Sequence, residues 1–206
     1  MAATTIRADT TERHVNKYTN QNPIHRLSLG RFYDAVAEEL TAIQPRSVLD
    51  FGCGEGYILD MMAERDVALS GYEGLDLRPD ALAEARSRWP STRFTEANLF
   101  DPAYDNKTYH TVMALEVLEH LFEPEKILQR LVSMADEHLL LTVPNEPWFQ
   151  MMNLVRGRDL IRLGNHPEHI NHWNKQTFAE FVSPYAEVVS VQSRFPFVIL
   201  TARPRK

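Results

Sequence analysis

The chain has 206 residues, a formal net charge of −6, 44% hydrophobic and 24% charged residues. That length suits one domain with a full-sized core, and the composition is that of an ordinary soluble globular protein without repeats or low-complexity tracts. The acidic balance argues against a duplex nucleic-acid partner, which needs a basic face, and there is no apolar run of about 18 residues to span a membrane.

Residues 1 to about 12 are polar and expected to be disordered; they lack the apolar core of a signal peptide, so a cytoplasmic protein is expected. A short helix over Glu12 to Tyr18 and a turn at Asn20-Gln21-Asn22-Pro23 precede a longer helix from Ile24 to Ile43. In that helix Leu27, Leu29, Phe32, Tyr33, Val36 and Leu40 recur with helical period. Ser47 to Phe51 reads as a short apolar strand. It runs straight into Gly52-Cys53-Gly54-Glu55-Gly56, and a helix starts at Tyr57. A strand, a glycine-rich bend and a helix open a βαβ unit, in which the glycines let the backbone turn tightly and let a ligand approach without meeting a Cβ. Cys53, the single cysteine, excludes an intramolecular disulfide and reads as a small apolar filler of the bend.

Gly74-Leu75-Asp76-Leu77 is a second strand ending in an acid. Asp76 stands about 20 residues beyond Gly56, the spacing of a carboxylate that grips ribose hydroxyls. Asp50, on the first strand, would repel a pyrophosphate and suits an ammonium group. The two acids describe a pocket for a nucleoside that carries positive charge and no phosphate. A helix from Ala81 to Trp89, with Pro79 at its start, leads to a third strand at Thr92 to Ala97. Tyr109 to Leu115 is a buried fourth strand, and Glu116 to Leu121 lie at its C-terminal end, where open α/β sheets place their sites. A helix over Pro124 to Ala135 and a fifth strand over Glu137 to Val143 follow.

Residues 145 to about 173 then break the alternation in a stretch long for a connection. A helix begins at Thr177, and strands at Glu187 to Arg194 and Phe197 to Ala202 form an antiparallel pair across the short gap at Phe195-Pro196.

The strings VLDFGCGEG, GLDLRPDAL and ALEVLEHL, within roughly Arg46 to Pro144, resemble the successive motifs of class I S-adenosylmethionine (SAM) methyltransferases. The resemblance implies an α/β fold: a seven-stranded, mostly parallel Rossmann-like sheet in the order 3-2-1-4-5-7-6, its last strand antiparallel, with helices on both faces and an insertion after strand 5. It implies a single domain over 1–206, in which 1–45 form a helical preface or lid and 145–175 an insertion covering the acceptor. SAM is the implied cofactor, lined by Asp50, Gly52, Cys53, Gly54, Gly56, Asp76, Leu77, Asn98, Leu99 and Glu116. Asn98 stands where the family usually has Asp opposite the adenine amine; an amide can still accept from that amine. Tyr18, His25 and Arg26 are expected lid residues.

Methyl transfer from a sulfonium is an in-line displacement, so the protein mainly aligns the reactants and removes a proton from the acceptor. The expected acceptor is a small molecule, and His120, His169 and, third, His172 are the expected general bases, with no metal required. Trp148, Phe149, Met151, Met152 and Trp173 could line an acceptor pocket or pack in the core, and Arg156, Arg158 and Arg162 could hold an acidic acceptor or form a solvated face. A second resemblance leaves an alternative open. Glu116-x-x-Glu119-His120 with His169 and Trp173 is similar to the pattern of Hen1-type small-RNA 2′-O-methyltransferases, which would make Glu116, Glu119, His120 and His169 metal ligands and Trp173 the flanking aromatic. A third reading is a catalytically silent SAM-binding partner protein. His14, His110 and His138 lie away from these motifs and read as structural.

Overall fold

The computed structural model describes residues 23–146 and 170–205, the side chains from Arg26 onward. The short helix expected at Glu12 to Tyr18, and most of the stretch after the fifth strand, lie outside these residues. In chain order the elements are helix α1 (Pro23–Ile43), strand β1 (Val48–Phe51), α2 (Tyr57–Ala63), β2 (Tyr72–Asp76), α3 (Pro79–Arg88), β3 (Arg93–Glu96), β4 (Tyr109–Leu115), α4 (Pro124–Met134), β5 (Ala135–Pro144), α5 (Lys175–Val182), β6 (Ala186–Arg194) and β7 (Phe197–Pro204). Single 3₁₀ turns follow β3 at Pro102–Tyr104 and β4 at Leu118–His120.

The strands form one seven-stranded sheet in the order β3-β2-β1-β4-β5-β7-β6. The first five pair in parallel, and β7 runs antiparallel to both β5 and β6. The expected topology is therefore the observed one, with β6 and β7 closing as the hairpin read from the short gap between them.

Neighbouring residues along the central strands enter opposite cores, as strand alternation requires. Leu49, Val112, Leu139 and Leu141 pack with Leu128 and Leu131 of α4 and Phe178 and Val182 of α5. Val48, Met113 and Leu140 pack with Phe32, Val36 and Leu40 of α1, Ile58 and Met62 of α2, and Leu82 of α3. Both faces are thus covered, which explains why β4 and β5 read as continuous apolar runs. The far end of α1 is tied to the sheet's edge by Glu39, whose carboxylate accepts from Ser190, Gln192 and Thr201.

Three local differences have physical reasons. β2 starts two residues before its expected position, because Tyr72 and Glu73 pair with Val48 and Leu49 of β1. Glu73 is tolerated there, 6% exposed, because its two oxygens accept from Tyr104 Oη at 2.6 Å and Tyr109 Oη at 2.7 Å. α5 starts at Lys175 instead of Thr177, because Asn174 caps it: its Oδ1 accepts from Gln176 and Thr177 N–H, and Thr177 Oγ1 accepts from Asn174 N–H. β5 starts at Ala135, where a bulge shifts its register against β4.

Candidate functional site

The bend after β1 is held in shape by backbone bonds to β2. Gly52 and Cys53 N–H both donate to Leu75 C=O, at 2.7 and 3.0 Å. Gly52 has φ +77°, and a Cβ built on it would sit 2.5 Å from Val117 Cγ2. The bend after β1 and the turn after β4 approach each other so closely that only glycine fits. Gly54, at φ +54°, would meet only the Nη2 tip of Arg78. Here the missing Cβ leaves the bend open instead of serving internal packing.

Asp76 lies at the end of β2, 9% exposed, and braces this bend. Its Oδ2 accepts from Gly54 N–H at 2.8 Å and its Oδ1 from Arg78 N–H at 2.9 Å. Each oxygen keeps a further lone pair, so the acid can hold the bend and still accept from a diol. Arg78, which the motif reading passed over, lies across the same ground. Its guanidinium is 3.3 Å from Glu55 Oε1 and 3.4 Å from Asp76 Oδ1. The signal that could have found it is an arginine two residues after the ribose acid, facing a second acid, Glu55, inside the glycine loop.

Asp50 is 3% exposed, and its Oδ2 accepts from Tyr72 Oη at 2.6 Å. Burial pushes the Asp50 carboxyl up to about 7, against the Tyr72 hydrogen bond, which lowers it, and with a further upward push from Asp76. Near neutral pH this group is therefore poised between neutral and charged forms. Cys53 is 8% exposed; burial and the charges of Asp50 and Asp76 hold its thiol far above the ordinary value, so it is an inert filler, as read. Its Sγ would lie 2.8 Å from a Cβ on Gly74, which makes Gly74 of β2 a second glycine demanded by packing under the bend.

The remaining expected cofactor residues are spread along the C-terminal ends of the parallel strands. Leu77 is 38% exposed at the end of β2, and Asn98 is exposed after β3, its Oδ1 accepting from Phe100 N–H at 2.7 Å. Leu99 is wholly buried in the core, so its side chain supports this edge from beneath. Glu116 has φ +60°, unusual for a side chain with a Cβ. It is held there by its N–H, which donates to Thr142 C=O at 3.1 Å and Thr142 Oγ1 at 3.0 Å, while Thr142 Oγ1 donates to Glu116 Oε1 at 3.1 Å. Tyr18 and the side chain of His25 lie outside the described residues; Arg26 is exposed on α1.

Two of the three expected bases are described. His120 is half-buried, its Nε2 3.6 Å from Glu119 Oε1. His172 has a side-chain exposure of 35%, and its Nδ1 lies 3.7 Å from Glu146 Oε1. The strand-like segment that carries His172 is fastened to the turn that carries His120. Ile170 and Asn171 N–H donate to Glu119 C=O at 2.8 and 3.0 Å, and the Asn171 carboxamide donates to Leu118 C=O at 3.2 Å and Leu121 C=O at 2.6 Å. Asn171 is the connection that motif spacing did not reveal. Trp173 is buried and packs at a tilt against the rings of Phe178 and Phe181, a core role instead of a pocket wall. His169, Trp148, Phe149, Met151, Met152, Arg156, Arg158 and Arg162 lie outside the described residues. Of the Hen1-type pattern, Glu116, Glu119 and His120 can be compared. Among the described residues these three are not a group whose ligand atoms all lie within 4.8 Å of one another.

The profile of the methyltransferase domain family matches residues 16–183. A Mycobacterium tuberculosis protein named "Probable S-adenosylmethionine-dependent methyltransferase" is 31% identical over 121 residues, 57% of this chain and 41% of its own. A trans-aconitate 2-methyltransferase of Rhodopseudomonas palustris is 32% identical over 122 residues, 57% of this chain and 47% of its own. The chain thus spans about half the length of the curated relatives it matches, or less. Among solved structures, magnesium protoporphyrin IX methyltransferase from Synechocystis with bound S-adenosylhomocysteine (SAH) superposes with a TM-score of 0.71. It is 18% identical and covers 96% of this chain and 95% of that one, a likeness of fold.

Proposed function

The chain belongs to the methyltransferase domain family, and on that premise we propose that it transfers a methyl group from SAM to an oxygen or nitrogen of a small-molecule acceptor. The observation that carries this reading is the open glycine bend at Gly54 with the Asp76 carboxylate fastened to its N–H at 2.8 Å. A nucleoside laid on that bend meets backbone without a Cβ and finds an acid in reach of its ribose, with Leu77 and Asn98 at the adenine end. Among the described residues, the cation that lies against the bend, Arg78, is already matched by Glu55 and Asp76. This suits a ligand with a cationic tail and no phosphate.

SAM supplies a methyl group activated by a sulfonium. Asp50 behind the bend contributes negative charge to the side where the amino-acid tail would lie, and its raised pKa means that a cation beside it drives the acid to ionise. Glu116, held in its strained conformation by Thr142, borders the same cleft. The acceptor side lies toward His120 and His172. Each ring stands near a carboxylate, Glu119 at 3.6 Å and Glu146 at 3.7 Å, and each is proposed to take the proton from the acceptor's O–H or N–H as the methyl carbon is attacked. His169, ranked with His120 on the sequence and ahead of His172, is proposed as a base as well. The net charge of −6 and the small-molecule name of a relative support a small acceptor.

Calorimetry with SAH tests the cofactor half, with saturable binding expected. Incubation with methyl-labelled SAM and a panel of small carboxylic acids, phenols and amines, beside a 3′-terminal RNA with and without EDTA, tests the other half. Label in a small molecule is the expected result. Label in RNA alone, abolished by EDTA, would overturn the small-molecule reading, and failure to bind SAH would overturn the whole proposal.

A further inference from the structure

At the opposite end of β4 from the cleft, two histidines that read as structural come together with a glutamate. His110 is the second residue of β4, and Glu137 and His138 lie early on β5; one ligand atom of each lies within 4.8 Å of the other two. Sequence neighbours on a regular strand point to opposite faces. The bulge removes that obstacle. Tyr109 pairs with Ala135 but Thr111 with His138, so β5 holds one extra residue, and Glu137 and His138 both reach His110.

The group is built as a ligand set. His110 is fixed from behind: its N–H donates to Ser47 Oγ at 2.9 Å, and its Nδ1 is 3.0 Å from Thr111 Oγ1. With Nδ1–H donating to that hydroxyl, the Nε2 lone pair faces outward, the arrangement a ligating histidine needs. Nε2 lies 3.6 Å from Glu137 Oε2. Glu137 Oε1 accepts from Arg46 Nη2 at 2.7 Å, so one oxygen is oriented and the other is left for an ion. His138 Nδ1 is buried without a hydrogen-bond partner. Zinc bonds of about 2 Å set tetrahedral ligand atoms about 3.3 Å apart, so modest side-chain rotation closes the group.

We propose that His110, Glu137 and His138 bind a divalent transition metal, zinc foremost, in a site separate from the cofactor cleft. Two imidazoles and one carboxylate suit zinc, nickel or copper and not magnesium or calcium, which prefer oxygen ligands. Arg46 and Arg203, the cations that face the group, limit the affinity but do not occupy the nitrogen lone pairs. The site lies at the start of the seven-residue β4, about 20 Å along the strand from Glu116. A metal there would staple β4 to β5 and take no part in methyl transfer.

The test is zinc titration of the full chain by calorimetry, with cobalt absorption spectra as a second readout. One saturable zinc equivalent is expected. His138→Gln and Glu137→Gln should each weaken it at least about tenfold, since even loss of an outer-shell partner costs that much. Both positions are half-buried or exposed, and metal-free melting curves verify that each variant folds; if His138→Gln does not, Glu137→Gln decides. No saturable binding, or binding that both variants retain, would overturn the proposal. So would binding lost in His120→Gln instead, which would move the metal to the Glu116-Glu119-His120 motif.

Discussion

Replacing Asp50 by Asn should make the protein more stable at pH 8 and not at pH 4. Burial raises the Asp50 carboxyl from an ordinary 3.8 to about 7. The folded chain therefore holds a proton that the unfolded chain has released, and the sign follows. For this group stability is greatest below the unfolded value, falls as pH rises from about 4 to about 7, and is lowest once the buried carboxylate is charged. The rise from 3.8 to about 7 corresponds to about 4 kcal/mol, an upper bound for the difference in stability lost by the wild type and by Asp50→Asn across that window. The amide keeps an acceptor for Tyr72 Oη, now 2.6 Å away, so the comparison isolates charge from packing. Urea unfolding followed by circular dichroism at pH 4, 6 and 8 measures it. A stability difference that does not change with pH would refute the reasoning. The same variant should bind SAM more weakly above pH 7, because a group retained at a cost to stability is expected to serve the ligand.

Asp76→Ala should weaken SAM binding by about 1–3 kcal/mol, the loss of a charged acceptor, and unchanged affinity by calorimetry would remove the ribose assignment. Gly54→Val should abolish SAH binding and cost about 1–3 kcal/mol of stability, because φ is +54° there, while the chain stays folded, since its Cβ meets only the tip of Arg78; unfolding of the variant, seen by circular dichroism, would contradict this. Gly52→Ala, by contrast, drives a Cβ within 2.5 Å of Val117 and should lose about 1–3 kcal/mol of stability, partly restored in combination with Val117→Ala. Cys53 should resist iodoacetamide in the native state at pH 8, and stoichiometric labelling without unfolding would show that the thiol is neither buried nor raised.

The order of elements, the glycine bend and the acid at the end of β2 were legible in the sequence because each depends on residues a few positions apart. Apolar runs bounded by turns make buried strands, Gly-x-Gly-x-Gly admits a bend closed to other residues, and a two-residue gap forces β6 and β7 into a hairpin. The full strand order came from resemblance to known proteins, since periodicity does not say which strands are neighbours.

Tertiary structure alone decided how the charged groups are matched. Tyr72 meets Asp50 through the pairing of β2 with β1, Tyr104 and Tyr109 enclose Glu73, and Arg78 folds back onto Glu55. Asn171 fastens the segment bearing His172 to the turn bearing His120 across about 50 residues of chain. One bulge in β5 brings Glu137 and His138, neighbours in sequence, onto the distant His110 as a cluster. A strand's alternation is local, but its register, and the desolvation that moves a carboxyl's pKa, depend on partners that only folding brings into contact.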